Sequence, residues 1–572
     1  LKREGMTRAT VAPLHRSHLF ILSSLFLLAL VPRLFGANTV GWGWDQPGSF
    51  SLVNFDEGGS CRAALDGFGY STFVGRGTLQ IARMLGVGAD PAIRGDARAV
   101  KANCHSPEHI RIARNVSAVM GALTVVALSL IGLALMPQQP GVAWTAGALL
   151  AVSGFHISES QTGTVDATSV FFAYAFMALL IYAVRSRSRG LLWLSPVLLV
   201  PAVWAKYWVF AVFAYLAFLP TTAWEYLTRG MSSRRVALVV LSTAILGGLV
   251  TNSEFQAAGL YPLLALYYLV IPWRRIARPL TLLWLLLPFL AYALTRVEVI
   301  ATYTTGVPTY AAIGWHKWLR NLVNVPAVLV VALGLPAFLF IPLGIRAMMR
   351  DSERRRAWLC LLPVLVFLLY MAFLAPVTYY RHYLALLPAA ALLSACGLFA
   401  TQWSRRPLFL ASFLLWPALL AYDLLADYQK DPRIELRDWY REHPQARVLF
   451  SYYVNPPRSG MANSRLFRPE YAFGDGDLLR QADYVILSEN WYDTAFANEL
   501  NGPLVGVPER MIKTRPEYVE FYRQVLSGQH PMLEPERAIS LDNFMTELVA
   551  HRSFYGTFQI FVGDILIYRV EE

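Results

Sequence analysis

Four stretches of the sequence set ionisable residues beside long apolar runs. Asp56 and Glu57 stand together in NFDEGG, after the first such run. Glu159 and Asp166 bracket a short polar segment in GFHISESQTGTVDATSVFF, Lys206 lies in WAKYW, and Arg381 and His382 lie in TYYRHYLALLP. Burying a carboxylate in a bilayer is expensive, so an acid next to a span faces water, a partner or a substrate. Acids and cations gathered at one place suit a reaction in which an anionic leaving group departs while a hydroxyl or amine loses its proton. Whether they gather depends on the elements that carry them.

The chain is 56% hydrophobic and 15% charged, far more apolar than a soluble protein of 572 residues needs, so it reads as a polytopic α-helical membrane protein. Apolar runs fit for spans fall near 18–36, 111–136, 141–155, 166–184, 190–204, 207–223, 236–252, 258–273, 279–295, 324–347, 357–375, 383–401 and 407–424, about thirteen in all. The leader LKREGMTRATVAPLHR reads as a short cytosolic segment, and the run after it lacks a small-residue cleavage site, so it reads as a retained helix. Threading from a cytosolic N-terminus collects roughly twenty Lys and Arg on one side, against Lys206, Arg296, Lys317, Arg320 and Arg381 in the short opposite loops. That imbalance accounts for the net charge of +12 without nucleic acid and puts all four chemical stretches on one outer face.

Three segments on that face are too long for turns: 37–110, 296–323 and 425–572. In the first, SCRAALDGFG and RGTLQIARMLG space their apolar residues as interfacial helices do. Cys61 and Cys104 share this loop and form a disulfide if that side is oxidising, while Cys360 and Cys396 lie in apolar runs as inert thiols. The tail changes composition. RVLFSYY, ADYVILSE and a hairpin TFQIFVGDILIYRV turning at Gly563–Asp564 read as strands and EYVEFYRQVLSG as a helix, giving a transmembrane domain over 1–424 and a small extracytoplasmic α/β domain over 425–572.

Plainer roles compete at each candidate. Asp56 and Asp166 suit helix caps, and Lys206 and Arg381 suit cations snorkelling to the interface. His105, His109, His156, His316 and His382 show no paired spacing with a nearby acid, so no ligand set is defined and a divalent metal stays open as a cofactor.

The order of these features resembles the C-type integral-membrane glycosyltransferases, and within them the branch of protein O-mannosyltransferases and lipid A aminoarabinose transferases. The features are a first span, an Asp-Glu in a long outer loop with interfacial helices, GTVDATSVFF opening the fourth span, a Lys-Tyr (Lys206, Tyr207) between short spans and YYRHYLALLPAAALL late in the chain. The likeness covers residues 18–424, and the tail fits the soluble outer domain such enzymes often carry. It implies transfer of a sugar from a polyprenyl-phosphate carrier to a lipid, protein or glycan acceptor on the outer face, with the first-loop acid as catalytic carboxylate. Carried over, Asp56 is the general base, Glu57 orients it or the acceptor, and Asp166 steadies the site.

The leaving phosphate needs fixed positive charge near the interface, for which Arg381, Lys206 and Arg76 are the candidates in that order. Relatives follow the basic residue at the Arg76 position with two prolines, where this chain has Gly77 and Thr78. Tyr380 and Tyr383 flank Arg381 and suit contacts to the phosphate or sugar. The loop 296–323, with His316 and Lys317, suits a mobile cover. The tail lacks the repeat domain expected of a eukaryotic mannosyltransferase, which favours a bacterial inner membrane.

Two other classes set different expectations. A transporter or lipid flippase would carry ionisable residues at the midplane and matching halves, and no half-to-half similarity is evident. A glycopolymer ligase or polymerase would place its catalytic Arg and His in a late outer loop instead of at Asp56.

Overall fold

The computed structural model describes residues 16–45, 49–54, 56–67, 72–186, 315–350, 380–451, 476–492, 516–540 and 564–571, with short pieces at 188, 191, 198, 201–202, 205–206, 368, 454, 456–457 and 460–466. Tyr207 and the expected spans between 207 and 314 lie outside the described residues.

The first apolar run is helix α1 (Arg16–Thr39). The loop after it holds α2 (Gly59–Asp66), α3 (Thr72–Leu85) and α4 (Ala97–Cys104), and α5 (Pro107–Leu135) follows. Both segments expected as interfacial helices are helical. Cys61 and Cys104 are joined, stapling α2 to the end of α4.

Next come α6 (Pro140–Ala151), α7 (Gly154–Gln161) and α8 (Asp166–Arg185). After the undescribed segment come α9 (Trp315–Leu333) and α10 (Leu335–Arg350), then a 3-10 turn (Tyr380–Leu386) leading into α11 (Leu387–Phe399), and α12 (Pro407–Gln429). Among the described residues three helices are long and apolar enough to cross a membrane, or up to five if each bent pair counts as one span. Their apolar sides bury against one another in one continuous core that includes Leu128, Phe176, Leu333, Leu392 and Phe413.

Two expectations for this part need correction. The run 324–347 is not one straight span: α9 and α10 meet at 118°. Gly334 between them has φ +85°, a conformation open to glycine, and a Cβ there would lie 2.1 Å from the Trp416 ring. Pro336 then sits in the first turn of α10, where its missing N–H costs nothing. The expected loop 296–323 is also shorter than its composition suggested, because α9 starts at Trp315 and so includes His316 and Lys317.

Helix α12 runs through residue 424, and α13 (Pro432–Glu442) opens the C-terminal unit. Its sheet has strand order β2-β1-β3-β5-β4, with β1 (Val448–Phe450), β2 (Ser464–Leu466), β3 (Tyr484–Ser488), β4 (Leu533–Ile539) and β5 (Ile565–Val570). β2, β1 and β3 run parallel, and β5 is antiparallel to both β3 and β4. The alternation of β3 builds two cores. Val485 and Leu487 meet Phe521 and Val525 of helix α14 (Pro516–Leu526), while Ile486 meets Leu436 and Trp439 of α13.

Of the hairpin expected at Gly563–Asp564, the strand after the turn is β5, paired on both sides by β3 and β4, and the strand before it lies outside the described residues. β4 escaped the sequence reading because LEPERAI has no apolar alternation. It is an edge strand whose five central residues are exposed, and Pro535 stands at its register irregularity, where a missing N–H is tolerated.

Candidate active site

The loop between α1 and α2 is folded by its own backbone and by arginines from two directions. Trp42 bridges Phe50, with Gly43 N donating to Ser49 O (2.9 Å) and Ser51 N to Gly41 O (2.8 Å). Arg111 of α5 lies over the Trp42 ring at 4.0 Å. From the C-terminal unit, Arg437 pairs with Asp45 and donates to Ser51 Oγ (2.8 Å), and Arg433 reaches Leu52 O (3.3 Å) over the Trp44 ring. The C-terminal unit is thereby fastened to the loop that carries NFDEGG.

Glu57 is the hub of that loop. Its carboxylate takes both Arg114 Nε (2.6 Å) and Nη2 (2.8 Å), and also accepts from the backbone N–H groups of Gly163 (3.0 Å), Val53 (3.3 Å) and Asn54 (3.4 Å). Arg114 in turn donates to Val40 O (2.5 Å) at the end of α1. Both side chains are sealed, with exposures of 0% and 1%. Burial alone would raise the pKa of Glu57, but the Arg114 charge and these hydrogen bonds outweigh it and hold the carboxyl below its ordinary 4.5. Of the two supporting roles expected for Glu57, orienting Asp56 or orienting the acceptor, a side chain 0% exposed is compatible with the first and leaves no direct contact for the second. It locks the NFDEGG turn to α5 and to Gly163, three residues before Asp166.

That clamp sets Asp56 facing the other way. Its N–H is held by Asn54 Oδ1 (2.9 Å), and its Oδ2 meets Arg381 Nη2 at 2.6 Å. The residue capping α2 is Gly58, with φ +79°, so a cap role for the Asp56 side chain is set aside. The pair is partly open, with Arg381 15% and Asp56 22% exposed. Asp166, the first residue of α8, pairs with Lys206 Nζ at 2.6 Å and also lies within the field of Arg381. Glu159 on α7, half-buried, feels Asp166, Arg381, Lys206 and Asp56 together. Two acid–cation pairs from four separate segments thus form one cluster.

Not every candidate joins it. Tyr383 is 1% exposed and packs in the helix core with Leu384 and Leu387, so its expected contact with phosphate or sugar is corrected to a packing role. Arg76 sits on the exposed side of α3, two residues and so more than half a turn from buried Val74. Tyr380 opens the 3-10 turn that carries Arg381, and the side chains of Tyr380, His316 and Lys317 lie outside the described residues. Among the described residues no group of three or more His, Cys, Asp or Glu is placed to hold a metal ion.

Two arginines matter that the sequence reading passed over. Arg114 stands inside an apolar run, and that was the available signal, since a cation within a span demands a partner. Arg33 on α1 is likewise fully buried. It donates to Ala29 O (2.5 Å), to Ala151 O (3.2 Å) and Leu150 O (3.4 Å) at the end of α6, and to His156 Nδ1 (2.8 Å) on α7. A guanidinium cannot accept, so His156 presents a bare Nδ1 and carries its proton on Nε2. Arg33 so supplies donors at the 58° break between α6 and α7, where the helix ladder stops.

No family model matches the sequence, and no curated protein matches it. Solved structures do. The archaeal oligosaccharyltransferase AglB from Archaeoglobus fulgidus, in complex with an inhibitory peptide and a dolichol-phosphate, superposes with a TM-score of 0.51 at 15% identity, covering 86% of this chain and 72% of that one. The oligosaccharyltransferase of the same organism in its apo form gives 0.50 at 13% identity, over 84% and 72%. ArnT from Cupriavidus metallidurans bound to undecaprenyl phosphate is looser, at 0.36 and 13% identity over 85% and 95%. The chain shares the fold of these two archaeal oligosaccharyltransferase structures. The chain is an integral membrane protein.

Proposed function

We propose that this chain is a glycosyltransferase that moves a sugar from a polyprenyl-phosphate carrier to a lipid, protein or glycan acceptor on the extracytoplasmic face of a bacterial inner membrane, its N-terminus lying in the cytoplasm. The observation that carries the reading is the paired cluster: Asp56 with Arg381 and Asp166 with Lys206, each at 2.6 Å, gathered from four segments. The shared fold supports the same class.

In this reading the bond between the sugar's anomeric carbon and the phosphate oxygen breaks, and its electron pair leaves with the polyprenyl phosphate. Arg381 offers planar donors to that phosphate and Lys206 a point charge, so the charge that develops on the leaving group meets fixed cations. The acceptor oxygen or nitrogen forms the new bond and gives its proton to Asp56. Asp166 holds Lys206 in place. Glu57 acts on none of the reacting atoms and fixes the turn that presents Asp56.

The test is reconstitution in lipid vesicles with a radiolabelled polyprenyl-phosphate sugar and a cell-envelope extract. The reading expects label on an acceptor and free polyprenyl phosphate in equal amount, with Arg381→Ala losing both. Label that crosses the bilayer still attached to its lipid, with no acceptor labelled, would instead make the protein a flippase.

A further inference from the structure

Three of the carboxylates near the site, Glu57, Asp56 and Asp166, are held in two different ways. Glu57 is sealed: it meets Arg114 through two hydrogen bonds, accepts three backbone N–H groups, and neither partner is more than 1% exposed. Nothing could replace either partner without stranding a buried charge. Asp56 and Arg381 pair at 2.6 Å with 22% and 15% of their side chains open, and Lys206 beside Asp166 is 27% exposed. Such a contact can be exchanged for another anion at small cost.

We infer that the polyprenyl phosphate takes Arg381 from Asp56, so that the donor itself releases the base that will deprotonate the acceptor. This rests on the function proposed above and specifies how its site is switched on. The donor's phosphodiester carries the same single charge as a carboxylate and matches the guanidinium fork equally well, so it competes for the same cation, and the phosphate monoester it becomes carries more. As the anomeric bond breaks, negative charge grows on the phosphate and draws Arg381 further from Asp56. A carboxylate relieved of its cation accepts a proton more readily. The proton then passes from the acceptor to Asp56 and the electron pair of the broken bond stays with the phosphate held by Arg381, which balances the step. The order also protects the donor: without lipid phosphate in place Asp56 stays engaged, and no acceptor is activated.

One consequence separates exchange from a simple binding site. If Asp56 competes with phosphate for Arg381, removing its charge strengthens phosphate binding even as it abolishes transfer. The experiment measures binding of sugar-free polyprenyl phosphate to the full chain in nanodiscs, for wild type, Asp56→Asn and Asp66→Asn. Asp66 is an acid of the same loop, set on α2 opposite Arg62 at 3.9 Å and outside the cluster. Exchange predicts that Asp56→Asn binds on the order of tenfold more tightly and Asp66→Asn as wild type. Asp56→Ser replaces Asn if that variant fails to fold.

Equal or weaker binding by the Asp56 variants overturns the exchange while leaving the proposed function standing. Equal tightening by Asp66→Asn also overturns it, because the effect would then be general charge. Absence of any binding to wild type overturns the proposed function, and the exchange with it.

Discussion

Replacing Glu57 with Gln gives the most informative perturbation of this fold, because the substitution keeps shape and removes charge. Five hydrogen bonds converge on the carboxylate: two from Arg114 and one each from the Gly163, Val53 and Asn54 amides. Gln retains one acceptor oxygen and turns an NH2 group toward donors, leaving the buried Arg114 charge without its counter-ion. Breaking one partner of a sealed ion pair costs about 3–5 kcal/mol. Glu57→Gln therefore lowers the thermal midpoint by several degrees, and Arg114→Met does the same. The apolar double variant Glu57→Leu with Arg114→Met regains part of the loss, since no charge is then stranded.

The pH dependence has a definite sign. The folded carboxyl lies below its unfolded value of 4.5, so its contribution is complete above 4.5 and is lost as pH falls through the lower folded value. His105, which burial and then Lys101 and Arg62 hold down to about 4 against the raising effect of Glu57, adds a loss between pH 6.5 and 4 that persists in the variant, where the missing Glu57 charge holds the imidazole lower still. Scanning fluorimetry of the purified protein across pH reads both. A Glu57→Gln protein with unchanged midpoint and abolished transfer would refute the clamp and return Glu57 to the chemistry.

Three further substitutions or treatments test the frame of the site. Gly58→Ala forces a side chain into φ +79° with its Cβ 2.5 Å from the His105 ring, costing about 1–3 kcal/mol, read as a lower midpoint together with reduced transfer. Reducing Cys61–Cys104, whose partners are 43 residues apart, removes a cross-link worth about 4 kcal/mol by loop entropy, so reductant speeds proteolysis between α2 and α4. Arg437→Ala strands Asp45 and frees Ser51, loosening the C-terminal unit by about 3 kcal/mol, and trypsin then cuts faster at Lys430, between α12 and α13.

Much of the fold follows from apolar runs and their flanks. Spans such as Arg16–Thr39 and Pro107–Leu135 stand within a few residues of where hydropathy puts them. Charge location did more for the site than motif: assigning Asp56, Asp166, Lys206 and Arg381 to one face anticipates that they meet, because loops on one face of a bundle have little else to pair with. What stayed hidden depends on tertiary partners. Glu57 sits next to Asp56 in sequence, yet one points to a partly open pair and the other into a seal made by Arg114, 57 residues away. Tyr383 lies two residues from Arg381 and turns into the core instead. The bend at Gly334 and the edge strand LEPERAI are settled by the Trp416 ring and by β5, neither adjacent in sequence.

In the proposed sugar transfer from lipid phosphate, Asp56 is the carboxylate that takes the acceptor's proton. The direct measurement is the initial rate of label transfer from a polyprenyl-phosphate sugar to the envelope acceptor, for wild type and for Asp56→Asn protein with an unchanged thermal midpoint. Loss of a general base predicts a fall of about 10²–10⁴-fold. Transfer by Asp56→Asn at the wild-type rate would contradict the account.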